Sequence, residues 1–271
     1  MQSVSETYVS VNRAFSKQST NYDFDDAENQ VLQDLRQQVY DHVNRWIKPN
    51  SNILELNAGT GIDAYHFVKQ GHTVHATDLS DGMIAQINAK IQKYNLHDRL
   101  SCQQVSYDSL DKVTGKKFDY VFSNFGGLNC IKDLSDVTKN LPPILNKGAH
   151  VTFVIMPPVC LWELLWIFKG HGKAAFRRFH KDGVMAHLEG EYFKTYYHSL
   201  RQIKKAFGSN FEFVKSEGLA AISPPPSRGD FPLKHPSVYR ALRNIDSSVR
   251  NMCPFNKWAD HIVVTFKYQE H

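Results

Sequence analysis

The sequence predicts an α/β fold, a Rossmann-like sheet of seven mostly parallel strands with helices on both faces and a lid-like insertion after the fifth strand. Three observations lead to this prediction. Short apolar runs alternate with segments of helical periodicity between residues 52 and 155, as in βαβ units. A glycine-rich turn, Ala58-Gly59-Thr60-Gly61, follows the first of these runs. The 271 residues, 42% of them hydrophobic, suit one domain with a substantial core.

The first half of the chain supplies most of that sheet. An amphipathic helix over residues 26–46 carries Val31, Leu35 and Val39 at helical spacing. Ser80 can cap the helix that follows it. Right-handed crossovers between parallel strands place the helices on both faces of the sheet. Strands are predicted over residues 52–56, 72–76, 100–105, 118–123 and 150–155, and helices over residues 63–70, 81–94 and 134–145.

After Pro157-Pro158 the pattern changes. Residues 184–188 and 192–197 flank Glu189-Gly190-Glu191, which is typical of a β-hairpin. Pro224-Pro225-Pro226 indicates a loop. We therefore interpret residues 1–271 as a single domain, with residues 1–48 as an N-terminal helical cap and residues 157–198 as the lid-like insertion. The remaining predicted elements are helices over residues 161–168 and 199–207 and strands over residues 211–214 and 261–268.

Composition and charge narrow the possible functions. The net charge of +5 fits an anionic substrate or an anionic membrane surface, but no long Lys/Arg block or basic stripe indicates a nucleic-acid partner. The cysteines form no close pairs and no His/carboxylate cluster has ligand spacing, so we expect neither a disulfide framework nor a metal. Residues 1–6 lack a basic region followed by an apolar run. These features together predict a cytoplasmic protein.

The glycine turn and an acid after the next strand indicate a nucleotide-type cofactor. Glycines after a strand let the backbone approach a ligand at a helix N-terminus. Asp78, at the tip of the second strand, can accept hydrogen bonds from two ribose hydroxyls. Residues 59–64 also satisfy G-x-G-x-x-A, so an NAD(P)-dependent oxidoreductase remains an alternative. Glu55, just before the turn, favours a cationic cofactor that carries an amino acid.

These motifs, together with Asn124-Phe125-Gly126-Gly127 after the fourth strand, resemble class I S-adenosylmethionine (SAM)-dependent methyltransferases. The resemblance is greatest to the small-molecule branch that includes quinone- and biotin-pathway enzymes. Asn57 stands where the family most often has glycine, and no acid follows the third strand until Asp108. The resemblance implies SAM as cofactor, bound by Tyr22, Glu55, Asn57, Ala58, Gly59, Gly61, Asp78, Leu79, Met83, Ser106, Tyr107, Asn124 and Phe125.

The resemblance also implies methyl transfer to oxygen, nitrogen or carbon of a small, aromatic or lipophilic molecule. A sulfonium is already a strong methyl donor, so a general base is needed only if the nucleophile must lose a proton. The main candidates for this general base are His198, Tyr197 and Asn129, and Tyr196 and His261 are further candidates. A non-catalytic SAM-binding module is a further alternative.

The insertion is rich in Trp, Phe, Lys and Arg, which allows a substrate pocket, an amphipathic helix that packs on the sheet, or peripheral contact with an anionic membrane.

Overall fold

Seven strands form one sheet in the order β3-β2-β1-β4-β5-β9-β8 in the computed structural model, which describes residues 4–270, with side chains from Thr7 onward. The first five strands are parallel, and β9 is antiparallel to both of its neighbours. The predicted mostly parallel sheet with an antiparallel C-terminal strand is confirmed. The strands of this sheet are β1 (Asn52–Leu56), β2 (Thr73–Asp78), β3 (Leu100–Gln104), β4 (Phe118–Ser123), β5 (Leu145–Ile155), β8 (Phe211–Leu219) and β9 (His261–Tyr268).

Helices cover both faces of the sheet, and each face has its own apolar core. Leu54 and Leu56 of β1 point into one core, whereas Ile53 points into the other, because successive side chains on a strand alternate. The helices are α1 (Val4–Gln18), α2 (Tyr22–Glu28), α3 (Gln30–Val43), α4 (Ile62–Lys69), α5 (Asp81–Tyr94), α6 (Ser135–Thr138), α7 (Leu161–Leu164), α8 (Gly172–Ala175), α9 (Leu200–Phe207), α10 (Phe231–Lys234) and α11 (Pro236–Val249).

Most helix boundaries agree with the sequence prediction, because their caps are local. Ser80 caps α5 by accepting a hydrogen bond from the backbone N–H of Met83 at 3.2 Å. The predicted helix over residues 26–46 is instead split at Asn29, whose side chain accepts from the backbone N–H of Leu32 at 3.1 Å and starts α3. Residues 1–3 of the predicted N-terminal cap lie outside the described part of the chain.

Two errors of the sequence prediction concern segments that contain proline. The helix expected over residues 134–145 is wrong: α6 is only one turn, and Pro142-Pro143 opens a 3-10 turn that leads into β5 at Leu145. Proline has no backbone N–H and cannot continue an α-helix. Conversely, α11 was missed after the proline-rich loop, although Pro236 occupies its first position, where proline is well tolerated.

The hairpin of β6 (Val184–Leu188) and β7 (Glu191–Thr195) forms a separate two-stranded sheet, as predicted. Glu189 and Gly190 at its tip both have left-handed backbone conformations, as a type I′ turn requires. The hairpin packs on α1, and the rings of Phe15 and Phe193 lie 5.8 Å apart. The predicted helix over residues 161–168 is α7 followed by a 3-10 turn to Lys169. None of the helices in the described part of the chain has the length and apolar character needed to cross a membrane.

Candidate active site

A cavity of about 260 Å³ lies at the carboxyl ends of β1 to β5, under a roof formed by α1 and the hairpin. Ligands of open α/β sheets bind at this edge, because the loops that follow parallel strands converge there. Each of these five strands contributes the residues that follow it. The lining includes Val11, Phe15, Tyr22, Arg36, Asn57, Ala58, Gly59, Thr60, Ile62, Asp63, Asp78, Leu79, Met83, Tyr107, Asn124, Phe125, Gly126, Gly127, Cys130, Met156, Ala186, Phe193 and Thr195.

The glycine turn brings backbone to the floor of this cavity. Asn57, Gly59 and Gly61 all have positive φ, at 53°, 56° and 81°. Asn adopts this conformation more readily than other residues with a side chain, so the turn forms despite the departure from glycine. A Cβ on Gly127 would lie 2.6 Å from the Cβ of Asn57, so the loop after β4 can approach the turn only with glycine at that position. Gly61 caps α4 and does not itself line the cavity.

Asp78 is held in place by backbone donors. Its Oδ2 accepts from the N–H of Gly59 at 2.9 Å and its Oδ1 from the N–H of Ser80 at 2.8 Å. Burial raises the pKa of Asp78 to about 6, although these donors act in the opposite direction. Each carboxylate oxygen has a second lone pair, so Asp78 can still accept hydrogen bonds from ribose hydroxyls.

A buried ionic network lies next to the glycine turn. The Nη1 of Arg36 donates to Oδ1 of Asp63 at 2.5 Å, and its Nη2 donates to Asp26. Asp63 also accepts from the hydroxyl of Tyr40 at 2.5 Å and from Nδ2 of Asn124 at 3.0 Å. Burial opposes ionisation of Asp63, but Arg36 and these donors outweigh it and lower the pKa of Asp63. The network therefore presents a fixed guanidinium to the cavity.

Two buried polar atoms of this region have no hydrogen-bond partner among the described residues. They are Nε of Arg36 and Oε2 of Glu55. Burial and the negative charge of Asp63 raise the pKa of Glu55 well above its usual range. A buried donor and a buried acceptor without partners are costly, and a ligand that supplied both would offset that cost. The amino-acid part of SAM carries a carboxylate for Arg36 and an ammonium for Glu55, so the residues present fit this cofactor.

Sequence reasoning missed Arg36 and Asp63. Arg36 interrupts the apolar stripe of α3, three residues before Val39 and next to Leu35. A charged residue within the apolar stripe of an amphipathic helix becomes buried when the stripe packs on the core. The position of Arg36 in this stripe is the sequence signal that could have identified it. Asp63 resembled an ordinary acid in the first turn of a helix.

The structure places some of the predicted cofactor residues in the lining of the cavity and others outside it. Ser106 is buried but does not line the cavity, and Glu55 lies next to the lining without being part of it. Asp108 accepts from the hydroxyl of Tyr8 and faces a second cavity, so the structure does not bring it to the first. The residues that do line the cavity are Tyr22, Asn57, Ala58, Gly59, Asp78, Leu79, Met83, Tyr107, Asn124 and Phe125.

None of the three main candidates for a general base lines the cavity. Nδ2 of Asn129 donates to the carbonyls of Met156 and Tyr196, at 3.0 and 2.5 Å, and its Oδ1 accepts from the N–H of Met156 at 2.9 Å. His198 lies in the second cavity, where burial lowers its pKa to about 4. The ring of Tyr197 packs under a guanidinium of the insertion, 5.1 Å away.

His261 does not line the cavity either, but its Nε2 lies close to residues that do. Its Nδ1 lies 2.8 Å from Oδ2 of Asp260, whereas none of the described residues bonds to its Nε2. A Cβ on Gly126 would lie 3.4 Å from that Nε2, and the ring of Phe125 is 5.7 Å from the imidazole. Gly126 and Phe125 both line the cavity, so His261 lies directly behind its wall.

One group of potential metal ligands occurs in the described part of the chain. Cys160, Glu163 and Asp260 have ligand atoms within 4.8 Å of one another. The guanidinium of Arg178 already donates to both carboxylates, at 2.7 Å in each case. A cation therefore already occupies this position, and the group carries no argument for a metal.

Comparison with known proteins agrees with this geometry. Residues 53–148 match the methyltransferase domain family. A curated relative, an uncharacterised protein of Haemophilus influenzae, is 25% identical over 174 residues, which are 63% of this chain and 56% of the relative. The chain thus matches little more than half of the length of that protein.

Two solved structures show the same fold. The 1,6-didemethyltoxoflavin-N1-methyltransferase of Burkholderia thailandensis is similar over 100% of this chain and 92% of its own, with a TM-score of 0.60 and 13% identity. The [4+2]-cyclase SpnF is similar over 86% of this chain and 81% of its own, with a TM-score of 0.55 and 12% identity. The match to the methyltransferase domain family covers the glycine turn and the strands β1 to β4, and the two solved structures share the fold of this chain.

Proposed function

We propose that this protein transfers the methyl group of SAM to oxygen, nitrogen or carbon of an aromatic or lipophilic small molecule. The observation that carries the proposal is the unpaired Nε of Arg36 at the cavity, with the unpaired Oε2 of Glu55 nearby. Together they complement an α-amino acid, and Asp78 complements a ribose. A dinucleotide offers pyrophosphate instead, which has no ammonium group for Glu55 and would be repelled by the ionised Asp63.

The walls of the cavity support an apolar acceptor. Phe15, Phe125, Phe193 and Met156 line it on the side of the roof and of the loops after β4 and β5. SAM, when bound, supplies the electrophilic methyl group and a thioether leaving group. The protein orients the acceptor and excludes water, which otherwise competes as a nucleophile. The similar methyltransferase of Burkholderia thailandensis was crystallised with 1,6-didemethyltoxoflavin and S-adenosylhomocysteine, which supports a small-molecule acceptor.

We further propose that His261 accepts a proton when the acceptor is a hydroxyl or a protonated nitrogen. Nδ1 of His261 lies 2.8 Å from Oδ2 of Asp260, and donation of the Nδ1 hydrogen to this carboxylate would leave Nε2 to accept the proton. Burial opposes ionisation of Asp260, but His261 and Arg178 outweigh it and hold the pKa of Asp260 well below its usual range. Asp260 therefore stays ionised and can hold the imidazole of His261 in place.

Calorimetric titration with S-adenosylhomocysteine tests the cofactor. We expect micromolar binding, and we expect Asp78→Ala to weaken it about tenfold or more because a charge-assisted hydrogen bond is lost. Asp81→Ala is the matched control, since Asp81 is an exposed acid of the same region that bonds to Ser16. The same titrations with NADH and NADPH test the oxidoreductase alternative. Binding of a nicotinamide nucleotide alone would replace the proposal with the oxidoreductase alternative.

Methyl transfer is tested by incubating radiolabelled SAM with a panel of phenols, aromatic amines and carboxylic acids. We expect His261→Ala to lower kcat by about 100-fold on a hydroxyl acceptor while leaving S-adenosylhomocysteine binding unchanged. Tight cofactor binding with no transfer to any acceptor would favour a non-catalytic module or another reaction on this fold, as with the cyclase SpnF.

A further inference from the structure

The insertion, residues 157–198, buries one ion pair and exposes many of its apolar side chains. Glu163 and Arg178 are buried, at 6% and 4% exposure, and bond to each other. Phe168, four residues from the end of α7, is 87% exposed. This reverses the usual distribution, in which burial of apolar side chains stabilises a fold. The apolar side chains on the outside therefore do not serve the stability of the insertion.

These side chains are concentrated in a short stretch. Fifteen large apolar side chains are exposed in the described part of the chain, and five of them lie between residues 165 and 179. The 3-10 turn over residues 165–169 packs against α8, and the rings of Phe176 and Phe179 lie 6.0 Å apart. We call this set the apolar patch: Leu165, Ile167, Phe168, Phe176 and Phe179.

The surroundings of the apolar patch are basic. Lys169, Lys173 and Lys181 are all exposed, and they lie within or next to the stretch that carries the patch. Asp182 is the single acid between residues 164 and 188. Aromatic side chains beside lysines are the combination that binds an anionic lipid surface, since the rings enter the interface and the lysines remain at the headgroups.

The insertion also connects this surface to the cavity. Its hairpin contributes Ala186, Phe193 and Thr195 to the lining. The buried bonds of Arg178 to Glu163 and Asp260 fix the helical part of the insertion to the start of β9. A surface held against lipid by the apolar patch would thus lie on the same element as the roof of the cavity.

We propose that the apolar patch docks the protein on an anionic lipid bilayer. The docking is peripheral, with the rings of Phe168, Phe176 and Phe179 at the level of the acyl boundary. This proposal concerns a surface outside the cavity, and it does not depend on which acceptor is methylated.

Co-sedimentation with phosphatidylcholine vesicles, with and without about one third phosphatidylglycerol, tests the docking. The full-length protein should bind the anionic vesicles, and bind them less as salt is added. The double variant Phe168→Ser/Lys169→Gln should bind about tenfold more weakly or worse, because one ring and one lysine are lost. Phe168 is almost fully exposed, so this variant should keep its melting temperature.

The matched control is Lys93→Gln/Tyr94→Ser. Lys93 lies 5.0 Å over the ring of Tyr94, which is 43% exposed at the end of α5, so the pair has the same chemistry outside the insertion. This control should bind vesicles like the unmodified protein. An absence of binding to anionic vesicles, or equal loss in both variants, overturns the proposal. The proposal is also overturned if sedimentation shows that the protein is a dimer and that Phe168→Ser dissociates this dimer. The apolar patch would then be a contact between two copies of the chain. S-adenosylhomocysteine binding, measured separately, reports on the cavity and is independent of these outcomes.

Discussion

Two arginines are buried in the described part of the chain, and they differ in how many of their N–H groups have a hydrogen-bond partner. Arg178 of the insertion makes five hydrogen bonds, to Glu163, to Asp260 and to the carbonyl of Pro157. Arg36 of α3 bonds to Asp26 and Asp63 through its Nη atoms, and its Nε has no partner among the described residues. A guanidinium has five N–H donors, so the first is saturated and the second is not.

We propose that this difference separates a structural role from a ligand-binding role. Arg178 can do no more than hold the insertion to β9, because all of its donors are used. Arg36 lines the cavity, and its buried Nε has no partner among the described residues. Buried charge alone therefore does not single out a functional site in this protein, and our proposal rests on the unpaired donor of a residue that lines the cavity.

The largest expected effect is on stability, at the saturated arginine. Arg178→Met should lower the free energy of unfolding by about 3 to 5 kcal/mol, because it leaves Glu163 and Asp260 buried without their partner. Arg177→Met is the matched control: Arg177 also bonds to Glu163, but its side chain is 42% exposed, so we expect about 1 kcal/mol or less. Urea unfolding of both variants measures the difference. Equal losses would show that saturation of the Arg178 network has no special role.

A smaller effect is expected on ligand binding, at the unsaturated arginine. Arg36→Lys keeps the charge beside Asp26 and Asp63 but removes the Nε donor and the planar fork. We expect about tenfold weaker binding of S-adenosylhomocysteine, measured by calorimetry, with a smaller change in melting temperature than Arg178→Met gives.

Arg45→Lys is the control for this substitution, since Arg45 bonds to the buried Glu217 and does not line the cavity. Its effect on S-adenosylhomocysteine affinity should be negligible. An unchanged affinity in Arg36→Lys would mean that the free Nε does not meet the ligand, and it would remove the distinction between the two arginines.

The pH dependence of ligand binding extends the comparison to the carboxylates. The folded-state pKa of Asp78 is about 6, above its ordinary value of 3.8, so the folded protein binds an extra proton between these values. The contribution of Asp78 to the free energy of unfolding therefore falls as pH rises through this window and is constant above it. Asp260, in the saturated network, has a lowered pKa and contributes no such change there.

If ribose hydroxyls bind the ionised form of Asp78, affinity for S-adenosylhomocysteine should be about tenfold weaker at pH 5 than at pH 7. Calorimetry at both values measures it. Asp78→Asn should flatten this dependence, and a dependence that persists in Asp78→Asn would assign the titration to another group, such as Glu55.

The sequence by itself determined the sheet and the floor of the cavity. Strand periodicity, the glycine turn and the Ser80 cap are properties of a few neighbouring residues, so β1, β4, α5 and β9 were predicted to within one residue. The carboxyl ends of parallel strands meet at one edge, so the order of the motifs along the chain was enough to assign Asp78, Asn57 and the loop after β4 to one site.

Only the tertiary structure decided which charges are buried and which of their atoms stay unpaired. Asp63 lies 27 positions from Arg36, and Asp260 lies 82 positions from Arg178. Local periodicity carries no information on such pairs, because burial and partners depend on how distant elements pack. For the same reason, the sequence could predict an aromatic, basic insertion but not that Glu163 and Arg178 would be buried while Phe168, Phe176 and Phe179 are exposed.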